Sequence, residues 1–462
     1  MFGRILRLPV DLVFETVLDN PDVVNYDSYI QALRRDMKEA MHVAQASALK
    51  QLKRHADLYN RKVFHYSSWN QEIQNMENQD PAVVDALKAS GESTLEKATA
   101  KAKMKMDQFF NVPLNVAVTG NTGSGKSSFV NALRGLKDDD VGAAPTGVTE
   151  TTMAPVMYEH PEMPNVKIWD LPGIGSPNFK AKKYLKDVKF NTYDFFIILS
   201  SVRFMENDIM LAKEIRKQKK GFYFVCSKID NDISSEKKKK GFDEQKVLSI
   251  IREDCQKNLK ELGDPKVFLI SSHDLEEYDF ESLQNILEDE LPEHKKYALL
   301  QAWPVCSAAS LEKKISMFKW MIWAASLASA GIAVIPVPGL SAACDLGIVV
   351  LFLTRCYYAF GLDERSLTRL SEKVNKPHLK DLAKSKFVTA IRERALTRLQ
   401  VSTALATIAT VEYFLSLLPG VGSVAAAGIS FATTRYLLTE GVNDLANTAR
   451  VIRKEAGLAS VH

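Results

Sequence analysis

The sequence of 462 residues is poor in cysteine and has no strong excess of charge of either sign. Its five cysteines are widely spaced, and no two of them form a CxxC pair. It therefore predicts neither a disulfide framework nor a zinc site, and a reduced, cytoplasmic location is expected. The 60 basic and 56 acidic side chains leave a formal net charge of +4. That value gives no reason to expect a nucleic acid as the partner.

Signatures of several other classes are also missing. No GxSxG hydrolase motif occurs, and the histidines show no spacing typical of metal ligands. The composition, 46% hydrophobic and 25% charged, is that of an ordinary globular protein. It excludes a wholly disordered or collagen-like chain, and at about 150 residues per domain the length suggests about three units.

Three regions differ in pattern. Residues 1–110 are predicted to be an N-terminal helical segment. Residues 111–293 alternate short apolar runs with helical stretches, which is typical of a doubly wound, mostly parallel α/β domain. Residues 294–462 are predicted to be a C-terminal helical domain. Strands are expected at Leu114–Val118, Val166–Trp169, Phe195–Leu199, Phe222–Val225 and Val267–Ile270, and helices at Lys126–Leu133 and Glu244–Leu262.

Two long uncharged runs stand out in the C-terminal region, Trp320–Cys344 and Tyr413–Thr434, each with a Pro-Gly pair. They are predicted to form two apolar helical hairpins. The segment between them, Gly361–Arg398, carries 10 basic and 5 acidic residues, as expected beside an anionic membrane surface. Each half-hairpin is too short to span a bilayer. Shallow membrane insertion and burial in a helical core both remain open.

The strongest motif fits GxxxxGK[ST] and follows an apolar strand. Its glycines let the backbone wrap closely around phosphate, and the lysine places a positive charge on the terminal phosphates. The helix that follows adds the positive end of its dipole. The predicted nucleotide-binding residues here are Gly120, Asn121, Thr122, Gly123, Ser124, Gly125, Lys126, Ser127 and Ser128.

A second motif, Asp170-Leu-Pro-Gly173, ends the next predicted strand, about 45 residues after the phosphate loop. The Ser127 hydroxyl and the Asp170 carboxylate are predicted to hold Mg²⁺. The backbone N–H of Gly173 is predicted to contact the terminal phosphate.

A third motif, Ser227-Lys228-Ile-Asp230, again follows an apolar strand. An aspartate here can accept two hydrogen bonds from guanine, whereas adenine has no matching pair of donors, so the motif predicts GTP rather than ATP. The aliphatic stem of Lys228 can cover the base. Ser271 and Ser272 follow the last predicted strand and fit the remaining loop that contacts the base.

The usual catalytic glutamine is missing. Ile174-Gly175 follows Gly173, so no glutamine stands there to orient the attacking water. Hydrolysis is therefore expected to be slow, or to need a group from elsewhere, such as a second copy. A loop rich in small and hydroxyl residues, Gly142–Thr152, precedes the second motif and has the composition of a loop ordered by phosphate and Mg²⁺.

These motifs resemble those of the immunity-related GTPases, an interferon-inducible branch near the dynamin-like GTPases. The resemblance rests on Gly120–Gly135, Gly142–Glu150, Trp169–Gly175 and Tyr193–Ile198. It implies a Ras-like G domain joined to a helical domain built from both ends of the chain. It also implies GTP-dependent self-association through the G domain and action on intracellular membranes, including vacuoles that hold pathogens.

The resemblance further implies that Lys126 marks the effector type and that Glu150, in the first switch loop, acts across the interface between two G domains. Two departures from the family pattern are Ser227, where threonine or asparagine is usual, and Pro145 in the switch loop. The leading hypothesis is thus a GTPase accelerated by self-assembly on membranes. A nucleotide-gated scaffold with little turnover, and a membrane-trafficking GTPase without an immune role, remain as alternatives.

Overall fold

The computed structural model describes residues 88–92, 95–147, 152–175, 179–201, 204–263, 265–330, 340–398 and 431–458. All of these residues belong to one structural unit, Pro81–His462.

A six-stranded sheet forms the centre of the α/β region. Its strands are β1 (Leu114–Gly120), β2 (Val156–His160), β3 (Met163–Asp170), β4 (Phe195–Ser200), β5 (Gly221–Cys226) and β6 (Val267–Leu269). They lie in the order β2-β3-β1-β4-β5-β6. Only β2 is antiparallel to its neighbour, and the other four pairs are parallel. The predicted α/β fold class is confirmed.

The five predicted strands are all present, and β2 is the one the sequence analysis missed. This strand lies at the edge of the sheet, and Val156 and Met157 on it are more than a third exposed. Its residues therefore show neither the continuous apolar run of a central strand nor a clean alternation, the two patterns by which strands are read from sequence.

The helices surround this sheet and continue beyond it. They are α1 (Leu95–Asn111), α2 (Lys126–Leu133), α3 (Ala181–Asp187), α4 (Glu206–Lys217), α5 (Ile229–Glu236), α6 (Glu244–Asn258), α7 (Phe280–Glu290), α8 (Glu293–Ala302), α9 (Ala308–Ala330), α10 (Leu340–Ala359), α11 (Glu364–Lys373), α12 (Leu379–Leu382), α13 (Lys386–Arg398) and α14 (Phe431–Ala456). The predicted helix Lys126–Leu133 is confirmed. The predicted helix Glu244–Leu262 is α6 followed by a 3₁₀ turn, Lys260–Leu262.

The two faces of the sheet have different cores. On one face, Phe196, Ile198 and Phe224 are buried against apolar residues of α4 and α6. On the other face, buried residues such as Val118 and Ile197 belong to a cluster that continues without a break into the helical region. A continuous core of this kind couples the sheet to those helices, because burial of apolar surface is the main stabilising term.

The described part of the first apolar run lies in this second core. Met321, Ala324 and Leu327 of this run are fully buried on α9, and α9 packs against α1, α10 and α14. The sequence left open whether this run inserts into a membrane or is buried in a helical core. In its described part, the run is buried in a helical core. The run Tyr413–Thr434 lies almost wholly outside the described residues. No helix in the described ranges combines the length and apolarity needed to cross a bilayer.

His160, the last residue of β2, is buried at the junction of the sheet with α8. Burial lowers the pKa of His160 to about 3, although a hydrogen bond with the Ala302 backbone opposes that effect. Its Nδ1 accepts a hydrogen bond from the backbone N–H of Glu162 at 3.3 Å, which requires an unprotonated nitrogen. The imidazole is therefore neutral in the folded protein at physiological pH.

This neutral imidazole predicts a loss of stability in mild acid. Between the ordinary histidine pKa of about 6.5 and the folded value, the unfolded chain binds a proton that the folded protein does not. Stability from this group is complete above that range and falls as pH decreases. At pH 5 the loss is about 2 kcal/mol. The free energy of unfolding of His160→Gln, measured with urea, should therefore decrease less between pH 7 and pH 5 than that of wild type. His273→Gln, at an exposed histidine, is the control. An equal pH dependence of stability in all three proteins would contradict the conclusion that His160 is buried in its neutral form.

Candidate nucleotide-binding site

The phosphate loop connects the end of β1 to the start of α2. Gly120, Gly123 and Gly125 have positive φ angles of 141°, 78° and 83°, a region that favours glycine. At Gly120 the packing adds a second requirement. A Cβ atom there would lie 2.0 Å from the carbonyl oxygen of Leu199 on β4, so only glycine fits between the two strands.

Lys126 begins α2 and turns its ammonium group back into the loop. Its side chain is buried, and its Nζ donates hydrogen bonds to the carbonyl oxygens of Asn121, at 3.1 Å, and Gly120, at 3.4 Å. The positive charge therefore lies inside the ring of backbone that the loop forms. Together with the N-terminal end of α2, this arrangement suits the terminal phosphates of a nucleotide.

Ser127, Asp170 and Thr152 form a cluster next to this lysine. The hydroxyls of Ser127 and Thr152 both donate to Oδ2 of Asp170, at 2.7 and 3.0 Å. Burial raises the pKa of Asp170, against the opposing effect of these hydrogen bonds and of Lys126. Its Oδ1 is buried and has no hydrogen-bond partner among the described residues.

Such a cluster of hydroxyl and carboxylate oxygens fits the hard oxygen ligands that Mg²⁺ prefers. A bound cation would satisfy the unpartnered oxygen of Asp170 and would favour its ionised form. The two metal ligands predicted from the sequence, Ser127 and Asp170, are therefore brought together by the fold. Thr152 was not singled out, because a threonine in a loop full of hydroxyls carries no distinguishing signal.

Gly173 lines a cavity of about 120 Å³ together with residues of the phosphate loop. The loop that carries it leaves β3 beside β1, since the N–H of Leu171 donates to the carbonyl of Val118 at 3.0 Å. The described residues that line this cavity provide hydroxyl, ammonium and backbone groups, but no carboxylate, carboxamide or imidazole: Thr122, Gly123, Gly125, Lys126, Ser127, Ser128, Thr146, Gly147, Thr152, Gly173 and Lys228. They include no general base or side chain like the missing glutamine.

Ser128, which the sequence predicts to bind the nucleotide, is among the residues that line this cavity. Its hydroxyl donates to Asp138 at 2.8 Å. The neighbouring Asn131, fully buried, donates to the same carboxylate and also bonds both backbone groups of Ala144. These two residues of α2 therefore fix the start of the switch loop beside the phosphate loop.

The guanine motif is tied directly to the phosphate loop. The Ser227 hydroxyl donates to the carbonyl of Ser124 at 2.6 Å, and Nζ of Lys228 donates to the carbonyl of Gly123 at 2.8 Å. Lys228 itself has a positive φ of 62°. The serine that departs from the family pattern thus still makes the connecting hydrogen bond.

Asp230 lies in the first turn of α5, after the end of β5. Its Oδ1 is buried and finds no hydrogen-bond partner in the part of the chain that the structure describes. A buried carboxylate oxygen without a partner is costly, and a base with two adjacent N–H donors would satisfy it. This geometry suits the predicted contact with guanine.

Ser271 and Ser272 lie in the loop that follows β6, the strand next to β5 in the sheet. The N–H of Ile270 donates to the carbonyl of Cys226 at 2.8 Å, and the N–H of Ile229 lies 3.5 Å from the carbonyl of Ile270. These bonds bring the serine loop beside the guanine motif. Ser271 is fully buried, and its hydroxyl accepts a hydrogen bond from the N–H of His273. Glu150, the remaining predicted site residue, lies outside the described residues.

Asp208, on α4, is a further site residue that the sequence did not reveal. Its Oδ2 accepts hydrogen bonds from the side chain of Asn121 at 3.1 Å and from the N–H of Met205 at 2.8 Å. Burial raises the pKa of Asp208 to about 6, against those hydrogen bonds and the charge of Lys126. The next residue back, Asn207, donates to the carbonyl of Ile174 at 2.6 Å. The start of α4 therefore joins the phosphate loop to the loop after Gly173.

The sheet order, the phosphate loop at the end of β1 and the guanine motif at the end of β5 define a G domain, the guanine-nucleotide-binding class of P-loop proteins. The sequence profile of the interferon-inducible GTPases matches residues 81–454. The chain belongs to the interferon-inducible GTPase family and is a GTPase. The family resemblance and the predicted enzyme class are thereby confirmed.

Individual relatives agree with this assignment. The chain is 38% identical to interferon-inducible GTPase 5 of Rattus norvegicus over 81% of this chain and 82% of that one. It is 35% identical to interferon-gamma-inducible GTPase 10 of Mus musculus over 79% and 86%, and 45% identical to interferon-inducible GTPase 1 of Mus musculus over 56% and 63%.

A solved structure, that of Toc33 from Arabidopsis thaliana in complex with GDP and Mg²⁺, matches with a TM-score of 0.26 and 17% identity. The match covers 37% of this chain and 79% of that one. At this TM-score the likeness has no bearing on function.

The contact assigned to Asp230 predicts a change of base preference in Asp230→Asn. The carboxamide replaces one acceptor by a donor, so it loses a bond to guanine and matches the C2 carbonyl of xanthine. We expect the affinity for GDP to fall about a hundred-fold, since a hydrogen bond to a charged group contributes about 1.5–3 kcal/mol. The affinity for xanthosine diphosphate (XDP) should rise. Fluorescence titration measures both, and Asp232→Asn on the same helix is the control. Unchanged GDP affinity in Asp230→Asn would contradict the assignment.

Proposed function

We propose that the chain hydrolyses GTP with Mg²⁺ held by Ser127 and Asp170, and that a second copy of the chain completes its catalytic site. The observation that carries the proposal is the lining of the cavity at Gly173. Its described residues bind phosphate and metal, but none of their side chains is suited to orient or deprotonate the attacking water. A GTPase of this construction needs that group from another part of the chain or from a partner.

Glu150 is the group we propose for this role. It stands two residues before Thr152, whose hydroxyl contacts Asp170, so the chain passes close to the metal ligands just after Glu150. A carboxylate near the terminal phosphate can position water. The family resemblance favours its action across an interface between two G domains, with each copy contributing to the nucleotide of the other. Assembly would then switch hydrolysis on.

The rate of GTP hydrolysis per molecule, measured over a range of protein concentrations, tests this proposal. For wild type we expect the rate to rise with concentration, because association adds the missing group. Lys126→Ala should be inactive at every concentration through loss of phosphate binding. Glu150→Ala should bind GTP normally but show a low, flat rate. Glu159→Ala, an exposed glutamate on β2, is the matched control and should behave as wild type.

Other outcomes identify the alternatives. A flat wild-type rate together with normal turnover by Glu150→Ala would rule out catalysis across a dimer. Negligible turnover at all concentrations, with intact GTP binding and GTP-dependent assembly, would instead favour the nucleotide-gated scaffold. The observation that favours this second candidate is that the described lining of the cavity offers no general base.

We further propose that the protein acts at intracellular membranes in interferon-linked defence. The family connects the chain to interferon, and a basic stretch of the helical region provides a surface for anionic lipid. Lys380, Lys384 and Lys386 are exposed, and Leu382 between them is 36% exposed. A basic cluster with an apolar side chain is typical of reversible binding to an anionic membrane surface.

Flotation with phosphatidylserine vesicles tests this surface. Each lysine near an anionic membrane contributes about 1 kcal/mol, so reversing the charge of Lys380, Lys384 and Lys386 to glutamate should abolish flotation. The matched control reverses Lys238, Lys239 and Lys240, which belong to a solvated basic run within the G domain sequence. Equal flotation of both variants would contradict the proposed surface, as would equal binding to uncharged phosphatidylcholine vesicles.

A further inference from the structure

The loop that follows β6 carries the two serines assigned to the base, and it is attached at its root. The N–H of Asp279 donates to the carbonyl of Leu269 at 2.9 Å, and the N–H of Leu269 donates back to Oδ2 of Asp279 at 2.9 Å. Between these ends the chain runs from Ser271 through Asp274 and Glu276. We call the segment 270–279 the base loop.

The base loop has little protein behind it on one side. Ser272, His273, Asp274, Leu275 and Glu276 all line a cavity of about 680 Å³ that is shared with α11 and α14. The side chain of Leu275 is the buried apolar contact of this stretch. Dense packing therefore does not hold the loop on that side, and other interactions must set its position.

Ion pairs from the helical region fill this role. Nζ of Lys373, the last residue of α11, lies 2.7 Å from Oδ2 of Asp274 and 2.8 Å from Oε2 of Glu276. Arg453 of α14 lies 3.2 Å from the other oxygen of Glu276. The side chain of Arg453 is 9% exposed and that of Glu276 is 19% exposed. Two cations and two carboxylates thus form one network, which is less screened than isolated surface pairs.

This network acts on the part of the loop that follows the serines. Oδ1 of Asp274 accepts hydrogen bonds from the N–H of Glu276 at 3.0 Å and from Nζ of Lys373 at 2.8 Å. The same carboxylate therefore shapes the turn and binds α11. Burial alone would lower the pKa of Lys373, but the hydrogen bonds to both carboxylates raise it above its ordinary value. The lysine is therefore charged at neutral pH.

Helix α11 also contacts the segment that follows α2, the helix that starts at the phosphate loop. Arg369 donates to the carbonyl of Gly135, just after α2, and Glu372 pairs with Lys137 at 2.7 Å. The second pair is about half exposed at each partner and contributes little by itself. One helix nevertheless contacts both the base loop and the end of the helix that starts at the phosphate loop.

We propose that Lys373 is a positioning residue for guanine recognition. By holding Asp274 and Glu276 it fixes the base loop where Ser271 and Ser272 meet the base, so the helical region contributes to the choice of guanine. By linkage, a bound guanine nucleotide stabilises the same contact between the base loop and α11. The proposal rests on the assignment of Ser271 and Ser272 to the base and is independent of self-association.

The test compares the affinities of the full-length chain for GDP and ADP, at concentrations where it is monomeric. In Lys373→Glu a negative charge faces two carboxylates and the base loop is displaced. We expect GDP affinity to fall about ten-fold, an effect of about 1.4 kcal/mol. ADP affinity should not change, because adenine does not use this contact. Lys373→Arg keeps the charge and should retain most of the preference for GDP.

Lys376→Glu is the matched control. It makes the same change of charge three residues further along, where Nζ of Lys376 donates to the carbonyl of Glu455 at 2.6 Å and the salt bridges to Asp274 and Glu276 belong to Lys373. It should keep the wild-type ratio of GDP to ADP affinity. If Lys373→Glu does not fold, Glu276→Gln weakens the same network and should lower the ratio to a smaller extent.

Two results would overturn the proposal. One is an equal loss of GDP and ADP affinity in Lys373→Glu, which would show a general destabilisation of the site. The other is an unchanged ratio in the variants of Lys373 and Glu276. A wild-type protein that does not distinguish GDP from ADP would refute the base-loop assignment itself. None of these measurements depends on hydrolysis or assembly, so failure here is distinguishable from failure of the proposed catalysis.

Discussion

The position of β1 in the middle of the sheet is the constraint on which the nucleotide site depends. The strands that follow β1 in the chain are added first on one side of it, as β3, and then on the other, as β4. The connections on either side of β1 therefore diverge, which opens a crevice at the carboxyl ends of the strands. Every part of the site lies at this edge of the sheet. The phosphate loop follows β1, Asp170 ends β3, the guanine motif follows β5 and the base loop follows β6. The narrow fit of Gly120 against Leu199 keeps the loop within this crevice.

The local parts of this arrangement were accessible from sequence, and the connections between them were not. A buried parallel strand has a continuous apolar run, and a phosphate loop has fixed spacing, so β1, α2 and the residues from Gly120 to Ser127 could be predicted. Edge strand β2 could not, because its exposed residues follow no simple period. Asp208, Asn131 and Lys373 could not either. Each acts through a partner 13 to 99 residues away, and a single sequence gives no signal for such pairs.

Burial of charge gives the site its particular chemistry. Lys126, Asp170 and Asp208 are all buried around the phosphate loop, and each is partly compensated by hydrogen bonds with neighbouring backbone or side chains. Burial without full compensation is costly, which is why the pKa values of both carboxylates are raised. A bound nucleotide would bring the opposite charge to Lys126, and a bound cation would do the same for Asp170. Part of the free energy lost in burying these two groups would thereby be recovered on binding.

Apolar burial and ion pairing also explain how the helical region takes part in the nucleotide site. The core on one face of the sheet runs into α9, α10 and α14 without a boundary, yet next to the base loop that core gives way to a cavity. On that side the ion pairs of Lys373 and Arg453 hold the loop in place of apolar packing. The strength of such contacts depends on the position of the loop, because Coulomb attraction falls with distance and with access of water. By linkage, a nucleotide that favours this position of the base loop also favours its contact with α11 and α14.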